Sequence, residues 1–506
     1  MSQLDLLLVT PASRSTVYQA LGTDLAALEP PVWAGLIATY ARGKGYAVGM
    51  LDAEALGMTF EQCAQEISKR NPLLTVFVVY GQQPSASTQC MPAGRASCEA
   101  YYKLSPGAFT MVMGTHSSSI PEITIKSEPY TFVCAGEGPV TVAELLKTLK
   151  DGKHKFDTVP GLWYREKNGE IKSTKWAEKI KDLDAELPSQ AWDLLDMTKY
   201  RAHNWHCLEH IGQRQPYASI QTSLGCPYKC SFCCINAPFG GSGIRYWSPE
   251  NIIKQIDTLV NTYGAKNIKI PDEMFVLNER HVLGICDHII ERGYKLNIWA
   301  YARVDTVKEK FLQKLKQAGF NWLALGIESG SKHVRDGVEK GRFGDTDIAA
   351  VVNRIRDSGI YVLGNYIFGL PDDTYESMTE TLNMAKSLNT EWANFYSAMA
   401  YPGSKLYSMA IQNKWKLPED WIGFSQHAVD TLPLPTEKLS GPEVLAFRDV
   451  AHKSYFTGPE FLAMVKNKFG QKVVDHIHDT LKVDLKRKYV TPEIRKRTEQ
   501  FVAAGA

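Results

Sequence analysis

Cys226, Cys230 and Cys233 stand at the spacing C-x3-C-x2-C in one short stretch, Gly225-Cys226-Pro227-Tyr228-Lys229-Cys230-Ser231-Phe232-Cys233. Residues 217–223 before it read as a strand, and residues 249–263 after it read as a helix. Thiolates this close on one loop can face a single point, and a soft donor set of this kind suits an iron–sulfur cluster or zinc. Three ligands leave one iron of a cubane cluster open to a further group. Chemistry is expected to start at that open iron. Cys234, next in the chain, would point elsewhere and reads as packing.

Composition limits the setting. Ten cysteines in 506 residues do not make a disulfide framework, and their clustering at 226–234 points to a metal in a reducing compartment. The chain is expected to be cytoplasmic, because its first residues lack a basic start and its apolar run at 6–9 is too short for a secretory signal. No stretch approaches the ~20 apolar residues of a spanning helix. A net charge of +2 argues for neither nucleic acid nor an anionic membrane as partner. The chain is 44% hydrophobic and 22% charged, as expected of a globular protein with sizeable cores.

Residues 1–150 alternate apolar runs with helical segments. Strands are expected at 4–10, 46–51, 73–80, 109–113 and 131–135, and helices at 30–43, 60–70 and 139–149. Pro30-Pro31 opens the first helix and Gly43 to Gly45 closes it. This pattern predicts a doubly wound parallel sheet, with ligands beyond the carboxyl ends of its strands. Those ends, at 10–13, 81–88, 114–117 and 135–138, are rich in Gly, Ser and Thr. They suit backbone and hydroxyl contacts to a large polar cofactor. No G-x-G-x-x-G follows the first strand, so a dinucleotide is not favoured. Residues 151–215 read as a linker with a small hairpin around 167–169. His203, His206 and His210 in it lack the tight pairs of a structural zinc site.

Residues 216–415 alternate strand and helix six times, with strands at 217–223, 266–270, 295–301, 321–327, 361–368 and 391–399. Six units predict a partial barrel, open on one side, with its active site at the strand carboxyl ends. Those ends carry the cysteine loop, then Asp272-Glu273, then Arg303, then Glu328. Carboxylates and an arginine around a cluster suit a zwitterionic, ribose-bearing ligand. Residues 416–506 read as helices with mixed charge and no catalytic motif.

In this order the motifs resemble the cobalamin-binding-domain-containing radical SAM enzymes, of the class B methyltransferase type. The likeness rests on the cysteine loop with Phe232 before its last cysteine, and on the six-unit pattern. It rests further on Pro30-Pro31 with Gly35, on Gly114-x-His116 and on Gly136-Glu137-Gly138. The resemblance implies an α/β chain in four parts: a Rossmann-like cobalamin-binding domain (1–150), a linker (151–215), a partial (β/α)6 radical SAM barrel (216–415) and a helical C-terminal domain (416–506). It implies a [4Fe–4S] cluster on Cys226, Cys230 and Cys233. It places S-adenosylmethionine near Phe232, Asp272, Glu273, Arg303 and Glu328. Cobalamin is expected near Ser85, Ser87, Thr88, Gly114, His116, Gly136, Glu137 and Gly138. The D-x-H-x-x-G motif that supplies a cobalt-ligating histidine in other cobalamin proteins is absent, so no histidine ligand is expected. The implied reaction is methyl transfer to an unactivated carbon after hydrogen abstraction by a 5′-deoxyadenosyl radical, with cyclisation or ring rearrangement as the alternative. The implied partners are a small-molecule, saccharide or lipid-linked substrate and an electron donor such as flavodoxin or ferredoxin.

Overall fold

The computed structural model describes residues 4–22, 26–80, 86–166, 168–338 and 346–505. Its N-terminal sheet is built on β1 (Leu6–Thr10), β2 (Val48–Asp52), β3 (Leu74–Val78), β4 (Thr110–Met113) and β5 (Phe132–Cys134), all parallel, in the order β2-β1-β3-β4-β5. These strands are almost wholly buried, as a parallel sheet with helices on both faces must be. Leu6, Leu8 and Val76 face the Val32–Gly43 and Pro139–Lys150 helices, while Leu7, Val9 and Phe77 face the Phe60–Arg70 and Ser87–Leu104 helices. The winding direction reverses between β1 and β3. That reversal opens a crevice at their carboxyl ends.

Two features of this half depart from expectation. The Ser87–Leu104 helix fills the stretch between the third and fourth strands where no helix is expected, and it carries Pro92 in its interior. Secondly, β6 (Leu162–Arg165) and β7 (Ile171–Ser173) form the expected hairpin, but β6 pairs antiparallel with β5. The sheet therefore runs past residue 150, where a boundary was expected. The hairpin covers an edge whose unpaired backbone groups would otherwise stay exposed.

The second sheet is six-stranded, parallel and open, in the order β15-β14-β13-β12-β11-β8. Its strands are β8 (Tyr217–Ser219), β11 (Asn267–Ile270), β12 (Asn297–Arg303), β13 (Phe320–Glu328), β14 (Tyr361–Phe368) and β15 (Trp392–Ser397). The first is shorter than expected. After a break the chain forms β9 (Ser223–Leu224), which pairs antiparallel with β10 (Arg245–Tyr246) beyond the cysteine loop. Helices between strands are capped by their own side chains, as at Ser248, whose hydroxyl accepts from Asn251 N at 3.1 Å. The floor of the barrel is filled by Trp205, Trp299 and Trp322, packed edge to face.

The Gly441–Phe456 helix covers the free β15 edge; Arg448 Nε donates to Phe395 O at 2.8 Å and Tyr455 Oη to Thr390 O at 2.8 Å. The Pro459–Phe469, Gln471–Leu481 and Pro492–Gly505 helices complete the C-terminal extension. Among the described residues no helix is long and apolar enough to cross a membrane.

Candidate functional site

The cysteine loop is shaped by backbone bonds rather than by its thiols. Gly225 holds φ at +90°, and a Cβ there would meet Gly243 O at 2.5 Å, so the loop enters on a residue without a side chain. Gly243 N donates to Cys226 O at 3.0 Å, Cys226 N to Asn236 Oδ1 at 3.1 Å, and Cys233 N to Cys230 O at 3.0 Å. Ser231 is tied to two distant segments, donating to Val338 O at 2.9 Å and accepting from Leu406 N at 2.9 Å. Phe232 wedges between apolar groups around Leu370 and Leu406 and so seats the loop on the barrel rim.

None of the ten cysteines is in a disulfide. Burial pushes the Cys226 thiol up to about 11, and Cys233 is raised well above its ordinary value for the same reason. Thiolates in this position need strong positive charge beside them, which a metal cluster supplies. Among the described residues no three His, Cys, Asp or Glu side chains have the geometry to hold one metal ion. A cubane does not require that geometry, since each thiolate binds a different iron.

The barrel strands bring the predicted polar residues to the same rim in different states. Asp272 is buried, and its oxygens accept from Thr222 N at 2.8 Å, Thr222 Oγ1 at 2.6 Å and Ser223 Oγ at 2.6 Å. Burial nevertheless pushes it up to about 6. Its bonds fasten the segment leading into the cysteine loop to the end of β11. Glu273 is half-buried beneath the cysteine loop, and burial pushes it up to about 7. Arg303 binds Asp305 through Nε at 2.9 Å and Nη2 at 3.0 Å, with its guanidinium 4.0 Å from the Tyr228 ring centroid. It thus braces the cysteine loop from the side. Glu328 ends β13 in left-handed backbone at φ +68°, next to a register shift between Gly326 and Glu328. A non-glycine residue held there stores about 1–3 kcal/mol of strain, a mark of sites where side-chain direction matters.

A cavity lies between the two sheets. Its N-terminal wall comes from Thr10 and Pro11 after β1, Asp52 and Glu54 at β2, and Val78 to Tyr80 at β3. Its far wall is Ser219, Gln221 and Pro271 of the barrel. It therefore occupies the β1/β3 crevice. Trp33, Tyr80 and Gln221 also line a smaller cavity that continues to Gly225, Ile235 and Glu273 at the cysteine loop. Among the described residues, six buried polar atoms of these walls find no hydrogen-bond partner: Arg14 Nη1, Trp33 Nε1, Tyr80 Oη, Thr115 Oγ1, Ser219 Oγ and Gln221 Oε1. Unsatisfied buried groups cost about 1–3 kcal/mol each, so a wall carrying six is built for a polar ligand. A corrin, with amide groups around its rim, has the chemistry to meet them.

Asp52 lies on this wall, accepting from Tyr200 Oη at 2.8 Å, and burial pushes it up to about 7. A carboxyl raised in the folded state favours folding below its unfolded value near 4, and that contribution is lost as pH rises toward 7. We expect stability of the cofactor-free protein to decline across pH 4–7 by at most about 1.4 kcal/mol per pH unit from this group. Asp52→Asn should flatten that slope in urea unfolding followed against pH.

The residues expected to hold cobalamin are placed unevenly. Ser87 and Thr88 sit in the first turn of the Ser87–Leu104 helix, where Ser87 Oγ bonds Val79 O and accepts from His116 N at 3.2 Å. Gly114 lies so close to Val79 O that a side chain would collide. His116 Nδ1 pairs with Thr88 Oγ1 at 3.2 Å, and its ring meets Trp421 edge to face at 4.5 Å rather than either cavity. Gly136, Glu137 and Gly138 line a separate open cleft beside Trp176 and Phe239. There Glu137 is held by Arg245 and accepts from Ile180 N at 3.1 Å. Ser85 lies outside the described residues. Sequence reasoning missed Arg14, Trp33, Asp52, Tyr80 and Gln221. Position at a strand's carboxyl end was a usable signal for Asp52 and Tyr80, and Trp33 follows Pro30-Pro31. Nothing local marked Gln221.

Residues 220–385 match the model of the radical SAM superfamily. An uncharacterized methyltransferase of Pyrococcus horikoshii, PH0819, is 30% identical over 463 residues, covering 91% of this chain and 94% of that protein. The chain belongs to the radical SAM superfamily. Among solved structures, the cobalamin-dependent S-adenosylmethionine radical enzyme OxsB, with aqua-cobalamin and S-adenosylmethionine bound, shares the fold. Its TM-score is 0.69 at 17% identity, over 99% of this chain and 79% of that one. So does the radical S-adenosylmethionine methyltransferase TsrM of Kitasatospora setae, with cobalamin and a [4Fe–4S] cluster bound. Its TM-score is 0.63 at 19% identity, over 81% and 75%. The radical SAM match contains the cysteine loop, Asp272, Arg303 and Glu328. The N-terminal wall of the cavity lies wholly outside it.

Proposed function

We propose that this radical SAM enzyme is a cobalamin-dependent methyltransferase acting on an unactivated carbon of a small molecule. One observation carries the reading: two cavities that share Trp33, Tyr80 and Gln221, and together hold six polar atoms unsatisfied among the described residues, reach the loop of Cys226, Cys230 and Cys233. Two cofactor positions thus face each other across the barrel mouth. OxsB and TsrM bind cobalamin in the same overall fold, and the Pyrococcus relative is named a methyltransferase, in support.

When bound, the cluster with S-adenosylmethionine supplies a 5′-deoxyadenosyl radical, and cobalamin supplies the methyl group. The chain's own residues do the rest. Cys226, Cys230 and Cys233 hold three irons, with Phe232 seating their loop. Glu273 and Glu328 stand at the rim where the amino group and ribose of S-adenosylmethionine are recognised, while Arg303 and Asp272 hold the loop and its entry strand. Trp33, Tyr80, Ser219, Gln221 and Arg14 would meet the amide-bearing rim of a corrin, and the packed walls would exclude water. Ten cysteines without a disulfide fit a reducing, cytoplasmic setting in which a flavodoxin or ferredoxin supplies electrons.

The test uses enzyme reconstituted anaerobically with iron, sulfide and hydroxocobalamin, and S-adenosylmethionine carrying a trideuterated methyl group. Methyl transfer places that label in the product, read by mass spectrometry. A product formed with 5′-deoxyadenosine but without label would establish cyclisation or rearrangement instead. No 5′-deoxyadenosine under reducing conditions would overturn the radical reading altogether.

A further inference from the structure

We infer that the C-terminal segment from Asp420 to Thr431 is a strap that sets both N-terminal walls of the cofactor cavity, with Trp421 and Ser425 as its positioning residues. This rests on the proposed cobalamin site. The segment follows the region that matches the superfamily, which ends at 385.

The first grip is at the β4 loop. The Trp421 ring lies edge to face on His116, with centroids 4.5 Å apart and planes at 72°. Trp421 Nε1 donates to Glu128 Oε1 at 2.9 Å, and the Glu128 side chain is wholly shielded from water. Arg95 clasps Glu128 through Nε at 3.0 Å and Nη2 at 2.8 Å, and reaches Asp420 Oδ2 through Nη1 at 3.1 Å. A buried carboxylate with this many charge-assisted bonds is a stiff anchor. His116, fixed there, sets its neighbour Thr115, whose unpaired Oγ1 lines the smaller cavity. The histidine that the sequence offers as a cofactor contact thus points away from the cavity, and acts on it through the preceding residue.

The second grip is at the segment after β1. Ser425 Oγ donates to Val17 O at 3.0 Å, Gln19 Nε2 donates to His427 O at 2.6 Å, and the Tyr18 and His427 rings lie 5.4 Å apart. Lys486 N adds a bond to Gln19 Oε1 at 3.2 Å. This segment carries Ser13, Arg14 and Tyr18, all on the wall of the larger cavity, including the unpaired Arg14 Nη1. One stretch of the C-terminal extension therefore holds two walls that lie about a hundred residues apart in sequence, at 13–19 and 115–116.

Hydroxocobalamin binding to the full-length, cluster-loaded protein tests this, read by absorbance after desalting and by tryptophan quenching. Trp421→Ala should weaken binding about tenfold or more, while iron per chain and the Tm of cobalamin-free protein stay at wild-type values. Ser425→Ala, which loosens only the second grip, should weaken it about threefold. Trp421→Phe keeps the ring against His116 and loses only the bond to Glu128; a weakening of about threefold is expected, and this variant carries the test should the alanine variant not fold. Affinity within twofold of wild type in all three variants would overturn the inference. So would a fall in Tm and iron content that parallels the lost affinity, since the segment would then serve the fold in general. If the wild-type protein binds no hydroxocobalamin, the cofactor reading fails first and the strap with it.

Discussion

Cys230→Ala is expected to lower the iron of the reconstituted enzyme from about four atoms per chain to below one, and to bring 5′-deoxyadenosine formation down to background. The circular dichroism spectrum should not change. The reason is the division of labour in the loop. Its path is held by Gly243 N on Cys226 O, by Ser231 on Val338 and Leu406, and by Phe232 in its apolar seat. None of these involves the Cys230 thiol. The cluster, by contrast, has only three thiolates, and two cannot retain a cubane in competition with chelators. Iron analysis, the visible absorbance of the cluster and product chromatography check this together. A variant that keeps its iron would show that Cys230 is not a ligand.

Lys269→Met should destabilise the protein by about 3–5 kcal/mol, measured by urea unfolding. Lys269 is 1% exposed in the middle of β11, and its Nζ lies 2.9 and 2.8 Å from the two oxygens of Glu29, itself 9% exposed at its side chain. Glu29 belongs to the N-terminal part, whose neighbour Leu28 pairs with Arg201, so the ion pair ties one half of the molecule to the other. Burial pushes the Glu29 carboxyl up while Lys269 draws it down. Removing the lysine leaves a buried carboxylate without its partner. Replacing both, as Glu29→Leu with Lys269→Met, should recover most of the loss, because an apolar pair needs no desolvation of charge. Equal losses in single and double variants would show that packing, not charge, is what the pair supplies.

Much of the frame was legible in the chain. Apolar runs of five to eight residues alternating with amphipathic segments marked both parallel sheets, because strands buried on both faces must be apolar throughout. The cysteine loop was legible for a related reason: its ligands lie within one turn of chain, so spacing alone encodes their convergence. Where a local signal contradicted the tertiary structure, the reading failed. The Ser87–Leu104 helix, with Pro92 inside it, is not expected from the sequence between the third and fourth strands, and the break between Ser219 and Ser223 falls inside the single strand expected at 217–223. The β6–β7 hairpin was visible, but its attachment to β5 was not, since strand pairing is a contact between distant segments.

The candidate site divides along the same line. Asp272, Arg303 and Glu328 stood out as charged residues ending apolar strands, yet their partners in the fold separate them. Asp272 is occupied by Thr222 and Ser223, Arg303 by Asp305, and Glu328 is held in left-handed backbone. His116 reads in the sequence as a cofactor contact; in the fold its ring packs against Trp421, which comes back to meet it from far along the chain.

By itself, then, the sequence determined the two α/β halves, the thiol loop and the side of each sheet on which ligands gather, all of them encoded in short-range periodicity and spacing. Only the tertiary structure decided which groups face the cavity. Trp33, Tyr80, Thr115, Ser219 and Gln221 are ordinary residues in their own segments. They gather on one wall because docking the two sheets removes water from their polar atoms and provides no partner among the described residues. That unsatisfied state is a property of the assembled interface, and no window of sequence contains it.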